Sequence, residues 1–442
     1  MGALTIAGIA EDQVGLGGLR MFGVRTWASA GLLTALVFGY FLIRLGVTSE
    51  AIRVNNCILG ADVGDYFRGL SSGHWGVFRI RKHALAVASI AAIGWPLTQM
   101  GVSAATAAII ALAAFVAIGS LAFFLYLRLL GLGCGATFFM VLAAIFAFGS
   151  LTIFSVVETY GFTFSAMAVA MLAFIVIARH SKNHPVLCSI SAGIAGAIPG
   201  TANLPALACV LLYAGLAKAS ASDNPWQRFI LVLALPVAIA TALSSVPMLY
   251  TDLAAAFAWQ RHYLDSLASI ANFVSPDVLA DYLSSFWVFA LVSPLDMVQY
   301  RYTSQATVAL GSSGLRLAGY IVVMFALSFG AFSALRDRRR RSITLWTLMA
   351  VGSLFIFYLY FNPAEAMLYS SQWILLLFAA AAPGYVGRRF SGPLFAACFV
   401  ILAIINYPPL MDPRSTDPSA YCGPSRSAEP ASPSRPRATF VR

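Results

Sequence analysis

The chain has 442 residues, of which 60% are hydrophobic and only 10% charged, with a mean hydropathy of +0.81 and a formal net charge of +11. A soluble domain is about 45–50% apolar and about 25% charged, so this composition excludes a water-soluble globular protein. The basic excess sits in short connectors between apolar runs, which does not suggest a nucleic-acid partner and matches the bias that orients membrane proteins.

The segment 1–26 carries Arg20 and Arg25 and lacks the basic, apolar and cleavage regions of a signal peptide. It is read as a cytoplasmic N-terminal segment. Runs of about 20 apolar residues can cross the hydrocarbon core as helices. Such runs follow at 27–47, 84–103, 105–128, 136–157, 160–178, 186–201 and 203–218, then at 228–250, 314–335, 343–361, 371–386 and 390–407. Two long connectors interrupt them, at 48–104 and 251–313. The tail 411–442 is rich in Pro and Ser, has almost no apolar pattern and reads as disordered. The predicted fold is therefore an all-α polytopic membrane domain over 27–410 with the two termini outside it.

The basic connectors fix the expected orientation. "RDRRRR" at 336–341, "GRRF" at 387–390, "ARHSKNH" at 178–184 and the Lys218 to Arg228 connector are predicted cytoplasmic, as is the N-terminus. These votes agree only if one early segment fails to cross. Segment 84–103 is Ala-rich, holds Gly94 and Pro96 and tapers into Thr98 and Gln99. It is read as a juxtamembrane or re-entrant helix on the outer face. About 11 transmembrane helices then remain, within about 10–13. The expected location is a bacterial inner (plasma) membrane.

In this topology the stretch "ILGADVGDYFRGLSSGHWGVFRIRKHAL", 58–85, lies outside and breaks the positive-inside trend. It gathers Asp62, Asp65, Arg68, Arg79, Arg81, Lys82 and His83. Headgroup contact alone accounts for the cations; a phosphorylated-lipid site with carboxylates beside it is the sharper reading. Glu158 and Tyr160 in "SVVETYGF" fall at the outer end of 136–157, where a solvated helix end is the plain alternative. Asn203 in "IPGTANLP" lies at a helix break and reads as a cavity liner or as part of a tight turn. The 251–313 loop supplies Arg261, His262 and Arg301, together with "YLSSFWVFALVSP", a candidate to dip into the interface. A connection of that length is usually functional. "NPAEAMLYSSQW" adds Glu365 and Tyr369 on the same side. Four of the cysteines lie in or next to apolar runs and read as packing residues. Cys57 and Cys422 can pair only if both face an oxidising compartment.

The pattern "ADVGDYFRGL", "RIRKHAL" and "VVETYGF" resembles the GT-C superfamily of polytopic glycosyltransferases, within it the protein mannosyltransferase-like branch. The resemblance covers roughly residues 25–260, with a looser echo in "NPAEAMLYSSQW". Ala84 stands where the family commonly has proline after the histidine. The resemblance implies transfer of a sugar from a polyprenyl-phosphate donor to a glycan, lipid or protein acceptor on the outer, periplasmic face of the cell envelope. It implies Asp62 as the catalytic base, Asp65 as its runner-up and Glu158 as a second acidic group. Tyr66, Arg79, Arg81, Lys82, His83, Tyr160, Asn203, Arg261, His262, Arg301, Glu365 and Tyr369 become candidate substrate-binding residues. No cofactor is required by the pattern; a divalent cation, Mg or Mn, would sit on Asp62 and Glu158. The chemistry suits these residue types: a carboxylate takes the acceptor proton, and Arg and Lys stabilise the departing phosphate.

Two further readings stand beside this one: a transporter or flippase of lipid-linked sugars, and an O-antigen ligase or polymerase-type enzyme using "AWQRHYLDS". A catalytically inactive member of the fold is a further alternative to these two. No chain of intramembrane carboxylates or histidines, no two-half repeat and no P-loop, GxSxG, HExxH or EF-hand pattern is visible in the sequence.

Overall fold

The computed structural model describes residues 22–54, 63–73, 75, 83–217, 224–249, 276–293, 314–361, 366 and 369–406. Every regular element among these residues is a helix. α1 spans Val24–Val54, α2 Val63–Ser72, α3 Ala84–Gln99 and α4 Ala104–Leu129. α5, Cys134–Phe146, and α6, Phe148–Phe154, follow as a bent pair before α7, Tyr160–Ala178, and α8, Pro185–Ala202. α9 is a 3-10 turn over Leu204–Val210 continued as a helix over Leu211–Leu216. α10 begins at Pro225–Phe229, widens to a π turn over Ile230–Ala234 and resumes as Leu235–Leu249. α11 is Pro276–Leu283, α12 Gly314–Arg336, α13 Arg341–Phe361, α14 Ser370–Ala381 and α15 Ser391–Asn406.

Seven of these helices are long and apolar enough to cross a membrane, or eight with the bent pair taken as one span. The chain is a polytopic membrane protein whose described elements are all helices. Three of the twelve sequence runs, 84–103, 203–218 and 390–407, fold as shorter apolar helices, and 371–386 yields only the 12-residue α14 with a 3-10 turn behind it. Among the described residues, long helices are therefore fewer than the eleven or so spans expected from hydropathy. The cause is local: extended backbone at Asn203, followed by Pro205, separates the 186–201 and 203–218 runs, and Pro383 ends another run in a 3-10 turn.

Helix ends follow their sequence signals. Ser103 caps α4 by accepting from the Thr106 N–H at 3.1 Å, and Asn224 caps α10 through Trp226 N at 2.9 Å. Gly131, at φ +96°, allows the turn after α4. The π turn in α10 lies just before Pro236, whose ring cannot fit a regular α turn behind it.

Helices approach closely where side chains are small, the usual solution in lipid. α4 and α7 run parallel: Phe115 meets Phe162 with ring centroids 4.8 Å apart, and a Cβ on Gly119 would come within 2.6 Å of Phe164. α8 and α10 do the same through Gly193 against Ile239 and Gly200 against Ser244.

These registers give the bundle two chemically different ends. At one end Cys134 Sγ lies 3.9 Å from the Arg25 carbonyl, and Arg340 donates to the carbonyls of Pro383 at 2.9 Å and Val386 at 3.3 Å. Arg388 donates to Ser333 there, and Arg128 to Leu132. The connectors predicted cytoplasmic at 336–341 and 387–390 thus share one end with the start of α1. At the other end lie the C-terminal part of α1, α2, the start of α7 and the end of α8.

Within segment 84–103, residues Ala84–Gln99 form one helix, α3, with Pro96 inside it. It pairs with α4 as a tight hairpin closed by Val102 N to Leu97 O at 3.0 Å. The Phe115–Phe162 contact sets the level of α7, so the ten or so residues of α4 before Phe115 project about 16 Å past that level. α3 packs alongside them.

Candidate functional site

Glu158 sits in the turn between α6 and α7 and is only 6% exposed. This corrects the surface position expected for it: the carboxylate is not a solvated helix end. α2 covers it. Tyr66, 1% exposed, donates its hydroxyl to Glu158 Oε2 at 2.9 Å. The same oxygen accepts from Thr159 N at 2.8 Å and from Thr159 Oγ1 at 3.4 Å. The carboxylate so lies at the N-terminus of α7, where negative charge is favoured.

α2 is fixed from behind by two close contacts. A Cβ on Gly69 would lie 2.6 Å from the Trp75 ring, and one on Gly94 of α3 would lie 2.7 Å from Leu70. Trp75 in turn meets Tyr66 edge to face at 6.2 Å. Asp65 belongs to the same helix one residue before Tyr66; its side chain lies outside the described residues.

Tyr160, the first residue of α7, packs edge to face on Tyr369 with centroids 5.5 Å apart. Tyr369 caps α14 and stacks on Tyr358 at 4.5 Å. The Tyr358 hydroxyl donates to Gln372 Oε1 at 3.1 Å. Behind them Thr152 Oγ1, Ser370 Oγ, Ser371 Oγ and Gln372 Nε2 are buried with no hydrogen-bond partner among the described residues.

His83 sits where α3 begins, with Nδ1 2.8 Å from the Ala202 carbonyl, which fixes the ring at the end of α8. Nδ1 there is the donor, because a carbonyl oxygen only accepts. Asn203 follows at once. It is 5% exposed, and its Nδ2 has no hydrogen-bond partner among the described residues.

The structure therefore brings five of the predicted residues into contacts at one end: Tyr66 with Glu158, Tyr160 with Tyr369, and His83 with the residue before Asn203. Asp62, Arg79, Arg81, Lys82, Arg261, His262, Arg301 and Glu365 lie outside the described residues, as do the Cys57–Cys422 pairing and the tail 411–442.

One charged residue escaped the sequence reading. Arg44 stands in α1 about 30 Å along the axis from Val24 and is fully buried. Its Nε donates to Ser155 Oγ at 2.6 Å, three residues before Glu158, and its guanidinium lies 5.9 Å from the Tyr40 ring. The signal was available: an ionisable residue inside an apolar run is costly and marks a site by default.

A second unforeseen feature is the break between α5 and α6, a 70° bend at Ala147. The segment "YLSSFWVFALVSP" does not stop at the interface but enters the bundle to close this break. Phe148 N and Gly149 N donate to the carbonyls of Leu291 at 3.0 Å and Ala290 at 2.9 Å. Asn406 Nδ2 serves the carbonyls of Phe146 and Leu291, both at 2.8 Å, and its Oδ1 accepts from Ser293 N. Phe286 stacks on Trp373 at 3.9 Å, and the indole N–H donates to the Phe286 carbonyl.

The divalent-cation pairing of Asp62 with Glu158 lies outside the described residues, because Asp62 does. Among the described residues no three His, Cys, Asp or Glu side chains come together. The groups on Glu158 Oε2 are a phenol, an amide and a hydroxyl, which donate hydrogen bonds to a carboxylate.

No protein-family model, curated protein or solved structure matches this chain.

Proposed function

We propose that the chain is a membrane glycosyltransferase that moves a sugar from a polyprenyl-phosphate-linked donor to an acceptor at the Glu158 end of the bundle, which is the periplasmic face in the topology read from the basic connectors. The observation that supports this reading is the Tyr66–Glu158 hydrogen bond. It joins the stretch after the first span to "VVETYGF", the two acidic segments on which the resemblance to the GT-C superfamily rests.

In this reading Asp62, which directly precedes α2 in sequence, takes the proton of the acceptor hydroxyl. Asp65 is the alternative base. Arg79, Arg81 and Lys82 stabilise the negative charge that grows on the departing lipid phosphate. Glu158 is a positioning residue, because hydrogen bonds from Tyr66 and Thr159 hold it between α2 and α7. Tyr160 and Tyr369 offer aromatic faces for a sugar ring or a prenyl unit.

The test uses the full chain in nanodiscs with a panel of radiolabelled polyprenyl-phosphate sugars, following label into acceptor or water. Wild-type turnover with at least one donor is expected, and Asp62→Asn should lower it by about 10²–10⁴-fold, the usual cost of a lost general base. Undiminished transfer by the Asp62→Asn protein would move the base to Asp65. Absence of transfer with every donor would remove the enzyme reading.

A second reading has its own observation. A discontinuous helix pair lined by buried hydroxyls, as at Ala147, is the device with which transporters build midplane sites. Movement of lipid-linked sugar across proteoliposomes containing Asp62→Asn protein would favour a flippase over a transferase.

A further inference from the structure

The basic end of the bundle carries a structured corner that the orientation rule does not require. On α12, Phe325, Phe329, Phe332 and Arg336 recur at i, i+4, i+7 and i+11 and so form one stripe. Phe325 is 68% and Phe332 53% exposed, so the stripe faces outward from the bundle. Phe329 stacks on Phe325 at 6.1 Å and meets Phe390 of the neighbouring connector at 6.4 Å.

The stripe ends in guanidinium groups that are held in place. Arg336 lies 4.2 Å over the Phe332 ring. Arg388 lies 5.0 Å from Phe329 and 5.7 Å from Phe390, and donates to Ser333. Arg389 is exposed beside it. Around this corner Arg336, Arg338, Arg339, Arg340, Arg341, Arg388 and Arg389 face a single acid, Asp337, which is already paired with Arg340 at 3.2 Å. Seven cations less one anion leave a local charge of +6.

We propose that this corner is a binding site for a phospholipid with an anionic headgroup. One acyl chain lies along the phenylalanine stripe of α12, and the phosphate is held by Arg336, Arg388 and Arg389. Three physical reasons converge on that occupant. An apolar, aromatic stripe facing outward from a membrane protein meets acyl chains. A guanidinium stacked on an aromatic ring has lost most of its rotamer freedom before the ligand arrives, which lowers the entropic cost of the contact. Planar guanidinium groups match phosphate oxygens bidentately, whereas a zwitterionic headgroup would bring its ammonium into a cluster of like charge. Orientation in the membrane alone needs the number of charges, not their stacking on a stripe.

The test is native mass spectrometry of the full chain in neutral detergent, titrated with phosphatidylglycerol or phosphatidylcholine. Thermal unfolding is followed in parallel. Phosphatidylglycerol should be retained selectively and raise the unfolding temperature. Arg336→Gln with Arg389→Gln should weaken retention by about ten- to a hundred-fold. Arg338→Gln with Arg339→Gln, in the same turn but off the stripe, should leave it within about two-fold. Phe332→Ala removes an exposed ring, leaves the fold intact and should also weaken retention. Equal retention of the two lipids would overturn the proposal. So would equal loss from the two arginine pairs, which reduces the cluster to diffuse charge, or displacement of phosphatidylglycerol by an equal concentration of inorganic phosphate, which makes it a free-anion site.

Discussion

Tyr66 and Arg44 show how single side chains tie distant segments to the turn that holds Glu158. The Tyr66 hydroxyl is the one described side chain from α2 that reaches the buried carboxylate. A hydrogen bond to a charged group contributes about 1.5–3 kcal/mol, and Glu158 Oε2 keeps its bonds from Thr159 when Tyr66 is lost. Tyr66→Phe should therefore lower stability by about 1.5–3 kcal/mol. Chemical denaturation in mild detergent measures the loss. Ser155→Ala removes the acceptor of the Arg44 Nε–H and should cost a similar amount to Tyr66→Phe. A Ser155→Ala protein as stable as wild type would show that Arg44 is held without that bond.

At the scale of elements the decisive feature is the bend between α5 and α6. A helix interrupted within the bundle leaves carbonyls and N–H groups that lipid cannot satisfy. Here residues 290–293 and Asn406 supply the missing partners from two other parts of the chain. Asn406→Leu removes three hydrogen bonds at once from buried positions and is expected to be among the most damaging single substitutions, at about 3 kcal/mol or more. Asn406→Asp keeps shape and one acceptor but loses the donor, so it should not rescue folding. Close packing is tested at the same place: a Cβ on Gly149 would lie 1.8 Å from Ser370 Oγ. Gly149→Ala should destabilise by about 1–3 kcal/mol through overpacking, and the double variant with Ser370→Gly should recover a good part of it. Additive losses in that pair, read from thermal unfolding, would mean that the two residues do not share the space.

For the whole molecule, the prediction concerns which ends face the same side. Tyr66, His83 and Glu158 belong to the end opposite Arg340 and Arg388, and α3 with the projecting part of α4 stands at the former. Single cysteines at the exposed positions Ser72 and Ser103, placed in a cysteine-free chain, should react with an impermeant thiol reagent from one side. A cysteine at Arg338 should react only from the other. Reaction of the 72 and 103 positions from opposite sides would mean that α3 crosses, and would reverse every placement before it. If the basic end is cytoplasmic, as charge bias dictates, reagent outside intact spheroplasts labels the first two alone.

The class of molecule was legible in the chain itself, because backbone polar groups in lipid must bond within their own segment and only long apolar helices achieve that simply. Hydropathy therefore located most helices, and the clustering of arginines located one end of the bundle. Tyr66, His83, Glu158, Tyr160, Asn203 and Tyr369 could be picked out as polar residues gathered near helix ends. What they touch could not. Glu158 reads in sequence as a helix end facing water, and only α2 folding back over it makes it a buried, hydrogen-bonded carboxylate. Arg44 carries a sequence signal, a charge inside an apolar run, but its partner Ser155 is visible only in the fold. The bend at Ala147 has no local signature, since Ala favours helix; it persists because residues 290–293 and Asn406, remote in sequence, accept and donate its freed hydrogen bonds. Local composition determines which segments are helices in lipid, whereas the pairing of polar groups freed at breaks and ends depends on contacts made more than 100 residues apart, which only the tertiary structure decides.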